Sequence, residues 1–143
     1  MIRALKRLLP HEFRQRLKRS LFAHQDMQSR LANLRRAGFS PAGAIDGGAY
    51  RGDWTRTLWS VWPDCPSLMV EPLPAQFQVL SVLAARAKGS AVLPKAIGRA
   101  RGDVPFRLDE TNSGIVSSGP REGTIMVACT TLDEALDDAP GFT

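Results

Sequence analysis

The feature that most constrains the fold of this chain is a glycine-rich turn between a short apolar run and a helix-like segment. The apolar run covers residues 43–47, the turn covers residues 47–52, and a second apolar run at residues 67–71 ends on Glu71. Glycine allows positive φ angles and close approach of another group, so a strand can turn sharply into a helix there. A carboxylate at the end of the following strand stands where α/β sheets bind a ribose. The pattern predicts a parallel sheet with a ligand at its carboxyl edge.

The apolar periodicity further along the chain predicts alternating helices and strands. Proline punctuates the pattern: Pro63 ends the helix that follows the turn, and Pro94 interrupts the third strand. Such alternation implies right-handed parallel crossovers and a doubly wound α/β sheet. The predicted helices are residues 53–62, the segment opened by Pro72 and Pro74, and a stretch beginning at Thr131–Leu136; the predicted strands are residues 43–47, 67–71 and 91–97, Val104–Leu108 and Thr124–Ala128.

The N-terminal part of the chain carries most of its positive charge. Residues 1–36 hold ten Lys and Arg against two acidic residues, whereas the rest of the chain is net acidic. Residues 11–36 show an apolar stripe at helical spacing that Gly38 and Pro41 end. The sequence predicts a basic amphipathic helical arm over residues 1–37 and a domain over residues 38–143. The favoured interpretation is a packed helix with a solvated charged face and no nucleic-acid partner; the alternative is a surface that meets anionic lipid, as a peripheral membrane contact, or nucleic acid.

Cysteine and histidine usage gives no sign of a metal or disulfide framework. Cys65 and Cys129 lack the spacing of a zinc site, and His11 and His24 have no partner one helical turn away. Arg3, Lys6 and Arg7 interrupt any leader-like apolar run. These features predict a cytoplasmic protein without a metal.

The composition of the turn bears on which ligand it takes. A dinucleotide fingerprint reads G-x-G-x-x-G, but Ala49 replaces the middle glycine and its methyl group is expected to hinder a pyrophosphate. Asp46, which ends the first strand, repels phosphate for electrostatic reasons. S-adenosylmethionine instead carries a cationic sulfonium and ammonium, and Glu71 would accept hydrogen bonds from its ribose hydroxyls. The competing interpretation is a plain tight turn in another α/β protein, with Glu71 capping a helix.

Several motifs in this order resemble the FkbM-type family of S-adenosylmethionine-dependent methyltransferases. The turn is similar to the family's D-V-G-A-N-x-G, although Gly47 and Tyr50 stand where the family has an apolar residue and a small amide. The matching stretches span about residues 38–136: Asp46–Gly52, Gly52–Thr55, Val70–Pro72, Lys95–Gly98 with Gly102 and Phe106, Asn112–Gly114, and Thr131–Asp133.

The resemblance implies a Rossmann-like methyltransferase, a three-layer sandwich of which this chain holds the N-terminal half of the sheet. It implies O-methylation of a hydroxyl on a small molecule, sugar or lipid. The family continues into a strand with K-I-D-x-x-G-x-E that is not found here, so a truncated domain is expected and no catalytic residue is assigned. By carry-over, the S-adenosylmethionine site would comprise Asp46, Gly48, Ala49, Gly52, Glu71, Ala96 and Ile97.

Three alternatives stay open from the residues alone. One is a non-catalytic, truncated relative that only binds the cofactor. Another is a nicotinamide oxidoreductase, which Ala49 and Asp46 disfavour. The last is an interaction protein led by the basic arm, whose binding to lipid or nucleic acid would fall steeply with salt.

Overall fold

The computed structural model describes residues 27–108, 113–116 and 123–142, and the chain divides into two units, Met1–Ser40 and Pro41–Thr143. In the first unit, residues 27–36 form a helix, α1. The helix ends as the sequence predicts, because Gly38 adopts φ 90° and Phe39 donates its N–H to Leu34 O at 3.0 Å. This is a Schellman-type ending, which glycine favours. The predicted helical segment 11–26 lies outside the described residues, and so do His11 and His24.

The second unit is built on a three-stranded parallel sheet at its N-terminal side. The order is β1 (Ala44–Gly47), β2 (Ser67–Val70) and β3 (Ala91–Leu93), and Asp46 of β1 is in register with Met69 of β2. Helices α2 (Asp53–Trp59) and α3 (Pro74–Ala84) connect successive strands. Within the described strands, β1 pairs with β2 alone. The predicted βαβαβ alternation is therefore present.

Different elements cover the two faces of this sheet, because successive side chains of β2 point to opposite faces. Met69 packs on one face with Leu80 and Leu83 of α3, and Leu68 and Val70 pack on the other face with the C-terminal turns. Every residue of β2 is buried, as expected for a central parallel strand. The unit is thus an α/β arrangement with cover on both sides of the sheet, compatible with a Rossmann-like fold.

The second sheet is mixed and lies after residue 95. Its strands are β4 (Ala96–Ile97), β5 (Gly102–Arg107), β6 (Gly114–Ile115) and β7 (Thr124–Thr130), in the order β4-β7-β5-β6. Only β4 and β7 pair in parallel. Pro94 does break the predicted strand 91–97, and the two pieces, β3 and β4, belong to different sheets.

Two predicted helices need correction. The helix at 53–62 ends at Trp59, where the Trp59 indole N–H donates to Cys65 O at 2.9 Å. The stretch at Thr131–Leu136 is a series of turns over residues 132–138, not a helix. Both segments are too short for a helix to be stable by itself, and tertiary contacts decide their shape.

An ionic cluster fastens these C-terminal turns to the start of the second sheet. Asp138 accepts a hydrogen bond from Thr130 Oγ1 at 2.6 Å and pairs with Lys95 Nζ at 3.0 Å and an Arg101 guanidinium nitrogen at 2.8 Å. The Thr130 hydroxyl and the two cations lower the pKa of Asp138 from 3.8 to about 2. Because Ala135 and Ala139 of these turns cover the parallel sheet, the cluster also supports the core.

We expect Asp138→Asn to lower the melting temperature at pH 7, because it removes both ion pairs. A carboxylate whose pKa is depressed in the folded state stabilises above its unfolded value, and this stabilisation fades as the pH falls from about 4 towards 2. The difference between wild type and variant should therefore shrink over that range in thermal melts. The exposed neighbour Asp137, as Asp137→Asn, is the matched control. An equal effect of both changes would contradict this role of Asp138.

Candidate functional site

The carboxyl ends of β1 and β2 meet at the glycine-rich turn, and Glu71 connects them. Its Oε2 accepts the backbone N–H of Tyr50 at 2.9 Å, and its Oε1 accepts the backbone N–H of Leu73 at 2.9 Å. Glu71 is only 6% exposed. The structure thus brings the predicted ribose-binding carboxylate directly beside the turn. Each carboxylate oxygen can accept a further hydrogen bond, so Glu71 retains acceptor capacity.

The turn owes its shape to residues in the left-handed region. Gly48 and Gly52 have φ 77° and 78°, and Tyr50 between them has φ 49°. A non-glycine residue in this region costs about 1–2 kcal/mol, which the hydrogen bond from the Tyr50 N–H to Glu71 offsets. The Tyr50 ring also carries the Arg51 guanidinium above it, 5.2 Å from the ring centroid.

Most backbone N–H groups of the turn already have protein acceptors. Gly48 and Ala49 both donate to Val70 O, at 2.8 and 3.1 Å. Gly52 donates to Ala49 O at 2.6 Å, and Tyr50 donates to Glu71. A phosphate-binding loop instead points free N–H groups at its ligand. This turn is therefore poorly suited to a pyrophosphate.

The structure corrects the expectation that the Ala49 methyl group hinders a ligand. That methyl group is buried in the core with Met69, Leu80 and Leu83, on the side of the turn that faces α3. It therefore does not project out of the turn, and Ala49 as a whole is only 5% exposed. The case against a dinucleotide rests instead on the bonded N–H groups and on Asp46.

Asp46 is buried and lies against the first turn of α2. Its Oδ2 accepts the Thr55 hydroxyl at 2.6 Å, and Thr55 is itself fully buried. Burial raises the pKa of Asp46, and hydrogen bonding from Thr55 opposes that rise. Within the described residues, neither Asp46 nor Glu71 forms an ion pair with a basic side chain. The edge of the sheet therefore holds two buried carboxyl groups without a cationic partner, a situation that a bound cation would relieve.

The two other predicted residues are separated by the pleat of β4. The Ile97 side chain lies next to Gly47, where a Cβ in place of the glycine hydrogen would come within 3.2 Å of Ile97 Cδ1. Ala96 is instead buried in the second sheet with Phe106, Val127 and Cys129. Ile97 is thus near the turn, and the Ala96 side chain faces away into a separate core.

Sequence reasoning missed the structural partners of the two carboxylates. Thr55 belongs to one of the matching stretches but received no role, and the backbone donors of Tyr50 and Leu73 were not predicted. A threonine in the first turn of the helix after a buried aspartate is the signal that points to the Asp46–Thr55 pair. Backbone donors leave no residue-type signal in a sequence.

Two features relevant to other classes of site are absent from the described part of the chain. Residues 27–108, 113–116 and 123–142 contain no group of three or more His, Cys, Asp or Glu that could hold a metal ion. The same residues include no helix with the length and apolarity needed to cross a membrane.

Comparisons with family models, curated proteins and solved structures gave no match for this chain. The function is therefore inferred from the geometry of the turn, Asp46 and Glu71.

Gly52 sets how closely the turn approaches α3, and its replacement tests this packing. A Cβ there would overlap Leu83 Cδ2, and the residue also has φ 78°. We expect Gly52→Ala to reduce the free energy of unfolding by roughly 2–5 kcal/mol, from backbone strain plus overpacking. Gly48→Ala is the matched control, since its φ is 77° but its Cβ would meet nothing within 4 Å. Urea unfolding should show the smaller loss for Gly48→Ala; equal losses would contradict the packing argument.

Proposed function

We propose that the carboxyl edge of β1 and β2 binds S-adenosylmethionine and that the protein serves as a methyltransferase acting on a hydroxyl group. The observation that carries the proposal is Glu71, a buried carboxylate held beside the turn by the Tyr50 N–H at 2.9 Å. The Tyr50 bond and the Leu73 bond fix the carboxylate while leaving one acceptor position on each oxygen. Two adjacent ribose hydroxyls are donors that fit such a carboxylate.

The hydrogen-bonding state of the turn supports a ligand without phosphates. The N–H groups of Gly48 and Ala49 are bonded to Val70 O, so the turn offers few donors to an anion. Its neighbours Asp46 and Glu71 are buried acceptors without a basic partner among the described residues. A cationic adenosine derivative satisfies this arrangement, and a dinucleotide does not.

The residues of this chain would act by binding and orientation. Glu71 holds the ribose end, and Asp46 provides negative charge near the cationic end from a position fixed by Thr55. When bound, S-adenosylmethionine supplies an electrophilic methyl group on its sulfonium. Holding donor and acceptor in line is the main source of rate in such a transfer. No residue of the described chain is assigned as the base that takes the hydroxyl proton.

The role of Glu71 is best tested by changing the ligand rather than the protein. We expect isothermal titration calorimetry to show binding of S-adenosylhomocysteine, and its 2′,3′-dideoxy analogue to bind about 10–150-fold more weakly, as loss of hydrogen bonds to a charged group implies. In the Glu71→Gln variant, the difference in affinity between the two ligands should be much smaller. Asp64→Asn, at an exposed position, is the control and should keep the full difference.

The role of Asp46 is tested by comparing two ligands that differ in charge at sulfur. S-adenosylmethionine carries a sulfonium and S-adenosylhomocysteine a neutral thioether, so an acidic site should prefer the former. We expect Asp46→Asn to reduce that preference while leaving binding of the thioether nearly unchanged. The proposed function would be overturned if the unaltered protein bound neither ligand.

A further inference from the structure

A second concave surface, named the proline groove, lies at the same edge of the parallel sheet. It is lined by Pro72, Pro74 and Phe77 around the start of α3, by Pro94 after β3, and by residues 125–128 of β7. Its volume is about 480 Å³, within the range of small-molecule sites. Pro72 directly follows Glu71 in the chain. The groove therefore adjoins the strand end that carries Glu71, although Glu71 itself does not line it.

The lining of the proline groove is apolar and stiff. Among the described residues that form it, none is charged, and three are prolines whose rings restrict the backbone. Phe77 and Met126 are 45% and 56% exposed, although both are large apolar side chains. Aromatic rings and methionine sulfur both pack favourably against an aromatic ligand. The chemistry of this surface selects a neutral apolar ring and offers little to a sugar or a phosphate.

A different groove, which runs along α3, differs from the proline groove in having charged residues in its lining. It has a volume of about 310 Å³ and a rim that includes Arg56, Gln78 and Arg86, with Val79 and Val82 between them. Its described lining comes from α3, from Arg86 just after α3 and from Arg56 of α2. Of these two grooves, it is the proline groove that combines an uncharged lining with a position at the carboxyl edge of β2 and β3.

We propose that the proline groove holds the ring of a neutral aromatic alcohol, which is the hydroxyl-bearing acceptor of the proposed methyltransferase. This inference rests on the proposed function and narrows its substrate class. Phe77 from α3 and Met126 from β7, the two large exposed side chains of the lining, contact the ring. The prolines keep the groove open before the ligand arrives, which lowers the ordering cost of binding.

Binding of 2-naphthol, measured by its fluorescence at pH 7, tests the groove directly. We expect Phe77→Ala to weaken binding about 10–100-fold, as loss of a buried aromatic contact implies. Met126→Lys should weaken it at least as much, because a charge would be desolvated beside the ring. Val82→Lys is the matched control: Val82 is 61% exposed on the same helix but in the other groove, and this variant should bind normally. Thermal melts of the three variants check that each is folded.

Several outcomes would overturn the proposal. They are no saturable binding of 2-naphthol, an equal loss of affinity in Val82→Lys, or tighter binding of methyl glucoside than of 2-naphthol.

A competition experiment tests whether the two ligands occupy different places. If the affinity for 2-naphthol is unchanged or increased when the protein is saturated with S-adenosylhomocysteine, the result supports a distinct acceptor groove. Mutual exclusion would assign the groove to the adenine ring and overturn the acceptor assignment, while leaving the proposed cofactor site standing. Binding of 2-naphthol without any binding of S-adenosylhomocysteine would instead overturn the proposed function, and with it the identification of the ligand as an acceptor.

Discussion

The hydrogen bonds of the Glu71 carboxylate hold together the carboxyl edge of β1 and β2, where the candidate site lies. One oxygen bonds to the Tyr50 N–H in the turn after β1, and the other bonds to the Leu73 N–H in the loop before α3. A single buried side chain thus fixes two loops that follow adjacent strands. The same bonds fix the orientation of the carboxylate, so the stability of the turn and the geometry of the candidate site have one origin.

Close packing beneath the turn complements these hydrogen bonds. Ala49 enters the core with Met69 and Leu83, and Gly52 lies so close to Leu83 that a Cβ there would overlap the leucine side chain. Apolar contacts with α3 and β2 therefore hold one side of the turn, and the hydrogen bond to Glu71 holds another. Gly47 and Gly48 are exposed, and they form the part of the turn that is open to a ligand. Among the described residues, the candidate site thus lies on the side of the turn that makes no core contacts.

Two electrostatic arrangements in the same unit have opposite consequences. Asp138 is surrounded by Lys95, Arg101 and the Thr130 hydroxyl, so its charge is stabilised and its pKa falls to about 2. Asp46 has Thr55 but no cation among the described residues, and burial raises its pKa. The first arrangement is that of a structural fastening. The second is a buried carboxyl group with a raised pKa, a feature that often marks a functional site.

The sequence by itself determined the α/β alternation, the glycine turn, the carboxylate of Glu71 at the end of the next strand, and the break at Pro94, because these depend on local rules of glycine, proline and apolar periodicity. It did not determine that residues 132–138 form turns, since a short segment takes the shape that its contacts impose. Nor did it determine that the Ala49 side chain points into the core, or that the Ala96 and Ile97 side chains face different parts of the structure. Side-chain orientation at these positions is set by packing against residues distant in the sequence. Only the tertiary structure fixed Thr55 against Asp46 and the Tyr50 N–H against Glu71. The first bond, across 9 residues, needs α2 packed against the end of β1, and the second, across 21 residues, exists only once β1 and β2 are paired.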